Sequence, residues 1–131
     1  MTVQQFKMKN GKLKMKKNNE VLDLSYKFSL LIIDTYKYLI KRKEYVMSKQ
    51  LLRSGTSIGA NITESQAAQS KADFISKMSI SLKEAWETRY WIRLLKNSKY
   101  LSKYPKLPQI KKNITPSLKK KIILVAGANL I

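Results

Sequence analysis

Apolar side chains recur at steps of three and four residues in the first part of the chain. The stripe consists of Val21, Leu24, Phe28, Leu31 and Tyr38, with Thr35 completing the spacing. Charged residues such as Lys27 and Asp34 fall off this stripe, as they do on the outer face of an amphipathic helix. Residues 30–33 alone would suit a buried strand, but the surrounding segment lacks Gly and Pro, so its length favours a helix. The pattern predicts a helix over residues 20–43.

A second segment, residues 44–68, keeps one apolar or small face. The face consists of Leu51, Gly55, Ile58, Ile62 and Ser65. The centre of the segment is rich in Gly, Ser and Thr, which is typical of a loop, because glycine in a helix costs about 1 kcal/mol relative to alanine. Gly55 and Gly59, however, are four residues apart and would share a helix face. We predict a helix over residues 44–68 in which Gly55 and Gly59 allow close packing of a neighbouring helix.

A third apolar stripe follows Ser70, which is a predicted N-cap with Asp73 three residues later. The stripe consists of Ile75, Met78, Leu82, Ala85 and Ile92. It predicts a third helix over residues 70–96.

Prolines interrupt the pattern after the third helix. Pro105 and Pro108 predict a loop, whereas Thr115 followed by Pro116 is typical of an N-cap with proline at the first helical position. We therefore predict a short fourth helix over residues 116–126. Because short connections place successive helices side by side, the predicted fold class is all-α: an antiparallel up-down four-helix bundle whose fourth helix is short or degenerate.

The composition fits one globular domain and removes most familiar catalytic chemistry. The chain has 131 residues, 44% of them hydrophobic, with no cysteine and no histidine. Disulfides, thiolate nucleophiles, the usual metal clusters and the usual serine triad are therefore excluded. We expect no catalytic residue, no metal and no cofactor.

The charge balance indicates a polyanionic partner, either RNA or DNA. Lys and Arg number 27 against 8 Asp and Glu, a formal charge of +19. Residues 1–19 and 106–131 each contain six lysines and no acid. We predict that residues 1–19 form a basic flexible tail before a bundle over residues 20–131. Apolar runs are too short for a signal-peptide core or a transmembrane helix, so we expect a cytoplasmic protein with no membrane partner.

Two groups of cations are the predicted nucleic-acid contacts. They are Lys41, Arg42, Lys43 and Lys49 around the first predicted turn, and Lys71, Lys77, Arg93 and Lys96 along the third helix. A lysine-rich face can be merely solvated, but too few acids are present here to balance it. With 23 lysines and four arginines, the chain suits phosphate contact better than bidentate reading of bases.

Five charged residues stand close to the predicted core stripes. They are Arg53, Glu64, Glu84, Glu87 and Arg89. They could form an acid–base cluster or a network of structural ion pairs that fixes helix register. The ion-pair interpretation is favoured, because no nucleophile, metal site or phosphate-binding glycine loop accompanies them.

Three aromatic residues of the third helix cannot all point inward. Trp86 and Tyr90 share one face, and Trp91 is turned about 100° from Tyr90. They could form a stacking platform for exposed bases. Packing, within the bundle or between protomers, is the favoured interpretation.

Residues 51–95 carry a resemblance to a known family. The segments RSGTSIGANITES and KEAWETRYW are its most specific parts, and the likeness extends over residues 21–95. The sequence closely resembles the four-helix bundle proteins encoded within intervening sequences of bacterial 23S ribosomal RNA genes. The same family includes the accessory protein of diversity-generating retroelements, a pentameric barrel whose basic surface engages nucleic acid and a reverse transcriptase.

This resemblance implies an all-helical, non-enzymatic protein that self-associates as a homopentamer. Family members end in a long, partly acidic fourth helix, whereas residues 97–131 here contain three prolines and no acid. The terminus is therefore either degenerate or a divergent helix.

The leading hypothesis is a non-catalytic protein that binds RNA or DNA through the phosphate backbone, in association with an rRNA intervening sequence. The alternative is an interaction module that docks a protein partner such as a reverse transcriptase, with nucleic-acid binding secondary. An enzyme such as a nuclease would need a carboxylate pair with a metal or a general base, which no motif supplies convincingly.

Overall fold

Four helices build the part of the chain that the structure, a computed structural model, describes. The backbone is described for residues 12–113, 120 and 122, and the side chains for residues 20–113, 120 and 122. The helices are α1 Lys12–Lys41, α2 Met47–Ser65, α3 Lys71–Asn97 and α4 Leu107–Lys112. α2 packs against both α1 and α3, and the short α4 contacts α1. The predicted all-α bundle with a short fourth helix is confirmed.

The helix ends differ from those that the sequence pattern predicts. α1 begins at Lys12, within the residues predicted to be a tail. α2 is shorter than residues 44–68, and α4 lies in the stretch predicted to be a loop. Pro108 lies in the first turn of α4, where the missing backbone N–H removes no intrahelical bond. The predicted helix over residues 116–126 lies outside the described residues, apart from residues 120 and 122, which are helical.

α1 and α2 approach each other closely at the two glycines of α2. A Cβ atom built on Gly55 would lie 2.7 Å from Cγ1 of Ile32. At Gly59, the same atom would lie 3.2 Å from Oγ of Ser29. Glycine at these positions therefore lets the two helices pack at a separation that a larger side chain would increase.

Small hydroxyl side chains fill the contact between α2 and α3. Thr88 Oγ1 lies 3.0 Å from Ser54 Oγ, and Ser81 Oγ donates to the carbonyl oxygen of Ile58 at 2.9 Å. All three hydroxyl residues are fully buried. These bonds satisfy buried polar atoms that would otherwise carry a desolvation cost.

The apolar core runs along the inner faces of all four helices. Its largest fully buried side chains are Phe28, Ile32, Leu39, Leu51, Ile58, Ile62, Phe74, Met78, Leu95, Leu101 and Ile110. Ile122 is also fully buried, so the described part of the chain beyond α4 returns to the core. Within the described residues, no helix is both long enough and apolar enough to span a bilayer.

Candidate nucleic-acid interface

One end of the bundle collects cations from two connections and three helix ends, and all of them except the half-buried Lys96 are exposed. This basic end consists of Lys41, Lys43, Lys49, Lys96, Lys99 and Lys103. α1 and α3 finish there and α2 begins there, because successive helices run antiparallel. The carbonyl ends of α1 and α3 carry partial negative charge, which favours cations such as Lys41 and Lys96 in their last turns.

Arg42 ties the two connections of the basic end together. Its guanidinium donates to the carbonyl oxygens of Lys99, at 2.8 Å, and of Tyr100. The same group lies 6.0 Å from the ring centroid of Tyr38 and 5.5 Å from that of Tyr100. Arg42 was predicted as a nucleic-acid contact; the residue is exposed, and its guanidinium also joins the first connection to the stretch that follows α3.

Two lysines of the basic end adopt the left-handed backbone conformation. Lys43 has φ 64° and Lys99 has φ 71°, and each follows the C-terminus of a helix. After α1, the N–H of Lys43 donates to the carbonyl of Ile40 and that of Glu44 to the carbonyl of Leu39, the Schellman pattern. Glycine is the usual residue at this position, since a Cβ there costs roughly 1–2 kcal/mol.

Glu44, the acid of the first connection, points away from the surface. The residue is only 6% exposed. Its carboxylate accepts hydrogen bonds from the backbone N–H groups of Val46 at 3.3 Å, Met47 at 3.0 Å and Ser48 at 2.6 Å. The negative charge therefore stabilises the start of α2 and is withdrawn from the surface that carries Lys41, Lys43 and Lys49.

The cationic surface continues from α3 onto α4. Lys96 lowers the pKa of Lys111, through a side-chain hydrogen bond and repulsion between the two positive charges. Nζ of Lys106 lies 2.9 Å from Oδ2 of Asp34, and this hydrogen bond raises the pKa of Lys106.

The sequence-predicted cations divide between the two ends of the bundle. Lys41, Lys43, Lys49 and Lys96 belong to the basic end, with exposed Arg93 one turn before Lys96. Lys71 and Lys77 lie toward the start of α3, and a helix rise of 1.5 Å per residue places Lys71 about 38 Å from Lys96. Nζ of Lys77 lies 3.7 Å from a carboxylate oxygen of Glu64. The structure therefore does not bring Lys71 and Lys77 to the same surface as the others.

Sequence reasoning missed Lys99 and Lys103. Both follow the third helix in a stretch that was treated as a connection only. The available signal was the antiparallel topology, which returns the end of the third helix to the turn between the first two.

The predicted ion-pair residues form a smaller network than expected. Arg53 bridges α2 to α3 through Glu84, at 3.3 Å, and through Glu87. Glu64 lies about three turns further along α2, where it pairs with Lys77 instead. Arg89 lies on the opposite side of α3 from Glu84 and stacks over the ring of Trp86 at 5.8 Å.

The three aromatic residues of α3 divide between the surface and the interior. Trp86 and Tyr90 are each 55% exposed, so neither ring belongs to the buried core. Trp91 packs against the core, and its indole N–H donates to Glu87 at 3.0 Å. The exposed surfaces of Trp86 and Tyr90 could contact either another protomer or bases.

The described residues contain no group of three or more acidic side chains that could hold a metal ion. Asp23, Asp34 and Glu64 instead pair with lysines, Glu84 and Glu87 share Arg53, and Glu44 accepts from backbone N–H groups.

A family profile described as "23S rRNA-intervening sequence protein" matches residues 17–120, which is most of the chain. The chain belongs to this family. The match includes the basic end and extends beyond the residues whose likeness was apparent from the sequence, into the proline-containing stretch after α3.

A solved structure supports the same family assignment. It is a crystal structure from Bacteroides thetaiotaomicron, described as a protein of unknown function from the S23 ribosomal protein family. Its sequence is 47% identical, the TM-score is 0.80, and the match covers 85% of this chain and 98% of that chain. No curated protein matches the sequence. The link to the retroelement accessory protein stays a prediction.

Proposed function

We propose that this protein binds RNA or DNA through the phosphate backbone at its basic end, in association with the rRNA intervening sequence that gives the family its name, and catalyses no reaction. The observation that carries the proposal is the convergence of six lysines at one end of the bundle, with the nearby Glu44 carboxylate buried. Lysine ammonium groups contact phosphates as point charges and release the counterions that surround nucleic acid.

The arrangement of the basic end supports backbone contact more than sequence reading. Lysines on turns and helix ends present flexible side chains with no fixed donor geometry. The one arginine in the first connection, Arg42, is held by carbonyl oxygens and aromatic rings. Recognition would therefore depend on the shape and charge of the nucleic acid. Association with ribosomal RNA would also place the protein in the cytoplasm.

The experiment compares two triple variants of the full chain that remove the same charge. Lys41, Lys43 and Lys49 are replaced by Gln at the basic end, and Lys27, Lys71 and Lys77 are replaced by Gln as the matched control. Affinity for a folded 23S rRNA fragment and for duplex DNA is measured between about 50 and 200 mM salt.

We expect the basic-end variant to lose affinity and to reduce the salt slope by about 2–3, since each of the three lost phosphate contacts removes roughly 0.7–0.9 from it. The control variant should keep the slope of the unaltered chain. An equal loss of affinity in both variants would contradict the proposal, because binding to nucleic acid would then depend on net charge alone. That result would favour the alternative function, docking of a protein partner.

We also propose self-association as a homopentamer, which is supported by the family resemblance. Each copy carries a formal charge of +19, so assembly should strengthen when salt or a polyanion screens the repulsion. Sedimentation velocity at low and moderate salt tests the assembly state, and a monomer throughout would contradict it.

A further inference from the structure

Trp86 and Tyr90 form an exposed aromatic stripe on the outer face of α3. The two residues are one helical turn apart and each is 55% exposed. Their positions differ by about 6 Å along the helix axis. That spacing exceeds the rise of about 3.4 Å between stacked bases in a strand. Each ring would therefore suit its own base in a strand whose bases are already unstacked.

Cations surround this aromatic stripe on both sides. Lys83 and Arg93 are exposed and lie three residues before Trp86 and three residues after Tyr90. The guanidinium of Arg89 lies 5.8 Å from the ring centroid of Trp86. The acids of this part of α3, Glu84 and Glu87, turn instead toward α2, where Arg53 compensates them. The outer face of α3 thus combines aromatic rings with positive charge.

One ring of the stripe is supported from behind. Tyr90 packs edge-on against Trp91, with ring centroids 5.2 Å apart and an interplanar angle of 71°. Trp91 is itself fixed by its hydrogen bond to Glu87 and by its contact with the core. A ring held in this way loses little freedom when a base stacks on it.

We propose that Trp86 and Tyr90 form a stacking platform for unpaired bases, flanked by Lys83, Arg89 and Arg93 as backbone contacts. This inference rests on the proposed function and names its ligand: a nucleic acid that presents a single-stranded segment beside the part held at the basic end. Arg93 and Lys96 connect the two surfaces, since Trp86 lies about 15 Å from Lys96 along α3.

Charge favours nucleic acid over a second copy of the chain at this face. In a ring of five copies the contact is heterologous, so Lys83, Arg89 and Arg93 would face a different surface of the neighbouring copy. That copy itself carries a formal charge of +19, so the contact would bring like charges together. A nucleic-acid strand supplies both the compensating phosphates and the flat rings.

The test uses Trp86→Leu/Tyr90→Leu in the full chain, with Tyr26→Leu as the matched control. Tyr26 is 65% exposed, but it lies on α1, away from the platform. Each protein is titrated with a single-stranded 12-nucleotide RNA and with a duplex of the same sequence. We expect the platform variant to lose roughly tenfold or more in single-strand affinity. Duplex affinity should change less than about twofold, since paired bases are not exposed to stacking.

Conservative replacement and assembly state separate stacking from other roles. Trp86→Phe keeps a π-face and should recover most of the single-strand affinity. The inference is overturned if Trp86→Leu/Tyr90→Leu lowers single-strand and duplex affinity equally, or if it changes the sedimenting mass while single-strand affinity stays the same. The second result would make this face a contact between copies.

The outcomes also distinguish this inference from the proposed function. If the basic-end triple variant loses duplex binding while the platform variant keeps full single-strand affinity, the proposed function stands and the platform is wrong. If the unaltered chain binds neither ligand, both are wrong.

Discussion

Lys43 and Lys99 each follow a helix C-terminus with a positive φ angle. The left-handed conformation costs a side-chain-bearing residue roughly 1–2 kcal/mol. When the residue is a cation, its attraction to the partial negative charge of the helix C-terminus offsets about 0.3–1 kcal/mol of this conformational cost. Each lysine therefore retains a net cost for folding of roughly 0–1.7 kcal/mol, and its side chain is available for another purpose at the basic end.

Replacing both residues by glycine separates binding from stability. We expect Lys43→Gly/Lys99→Gly to change the free energy of unfolding by less than about 1 kcal/mol. Relief of backbone strain stabilises the variant, whereas loss of the cation at the helix C-terminus and the greater conformational entropy of glycine in the unfolded chain destabilise it. Affinity for duplex DNA should fall and the salt slope should drop by about 1.5–2, since two phosphate contacts are lost.

Urea unfolding and a binding titration on the same preparations measure both quantities. Lys71→Gly is unsuitable as a control because it would weaken the first turn of α3, so Lys71→Gln serves instead. Unchanged affinity in the glycine variant would show that the conformation of these lysines reflects helix termination alone.

At the scale of helices, periodicity predicted which segments are helical but not where they end. The stripes around Phe28, Ile58 and Met78 lie on the core, as expected. The glycine-rich centre of α2 remains helical because tertiary contact with α1 outweighs the low helix propensity of glycine. The start of α1 and the position of α4 were missed, since lysines have good helix propensity and proline is tolerated in a first turn.

The candidate interface was predictable only in part, because the helices could be predicted from the sequence but not how their ends meet. Lys41, Lys43, Lys49 and Lys96 were found because they flank the ends of predicted helices. Lys71 was grouped with them because it shares a helix with Lys96, although one helix length separates the two. The role of Arg42 depends on carbonyl oxygens that are more than fifty residues away in sequence, which no local pattern reveals.

The two glycines of α2 predict different responses to an added methyl group. Gly55→Ala places its Cβ against the stiff, β-branched side chain of Ile32, so we expect a loss of about 1–3 kcal/mol in the free energy of unfolding. Gly59→Ala meets its nearest atom at 3.2 Å, and its higher helix propensity, worth about 1 kcal/mol, should offset much of the crowding.

Thermal or urea unfolding of the two alanine variants gives the comparison directly. The expected order is Gly55→Ala less stable than Gly59→Ala. The reverse order would mean that Ile32 can move aside more easily than the backbone of α1 near Ser25.

Over the whole molecule, charge is unevenly distributed among the described side chains. The basic end has its nearby acid buried, whereas the opposite end places Asp23, 3.0 Å from Lys27, and Glu64, 3.7 Å from Lys77, in ion pairs. Exposed pairs of this kind contribute little to stability. Repulsion among the uncompensated lysines should therefore dominate the response of the fold to salt.

We predict that salt stabilises the fold while it weakens binding. Raising NaCl from about 0.01 M to about 0.15 M shortens the Debye length from about 30 Å to about 8 Å. The free energy of unfolding should rise by an amount on the order of 1 kcal/mol, because self-repulsion at +19 is screened.

Urea titrations at both salt concentrations measure this change, and the triple variant at Lys41, Lys43 and Lys49 provides a control. Its stability should depend less on salt than that of the unaltered chain. A fold that loses stability with added salt would indicate instead that its ion pairs outweigh the repulsion.

The burial of Glu44 also limits what kind of anion the protein can accept. The N-terminus of a helix is an anion site, with backbone N–H groups that would otherwise bind a phosphate rigidly. At α2 the protein's own carboxylate already occupies the N–H groups of Val46, Met47 and Ser48. A phosphate at the basic end would meet lysine side chains, which have no fixed donor geometry, in place of these N–H groups, so the surface should tolerate many backbone geometries and exchange ligands quickly.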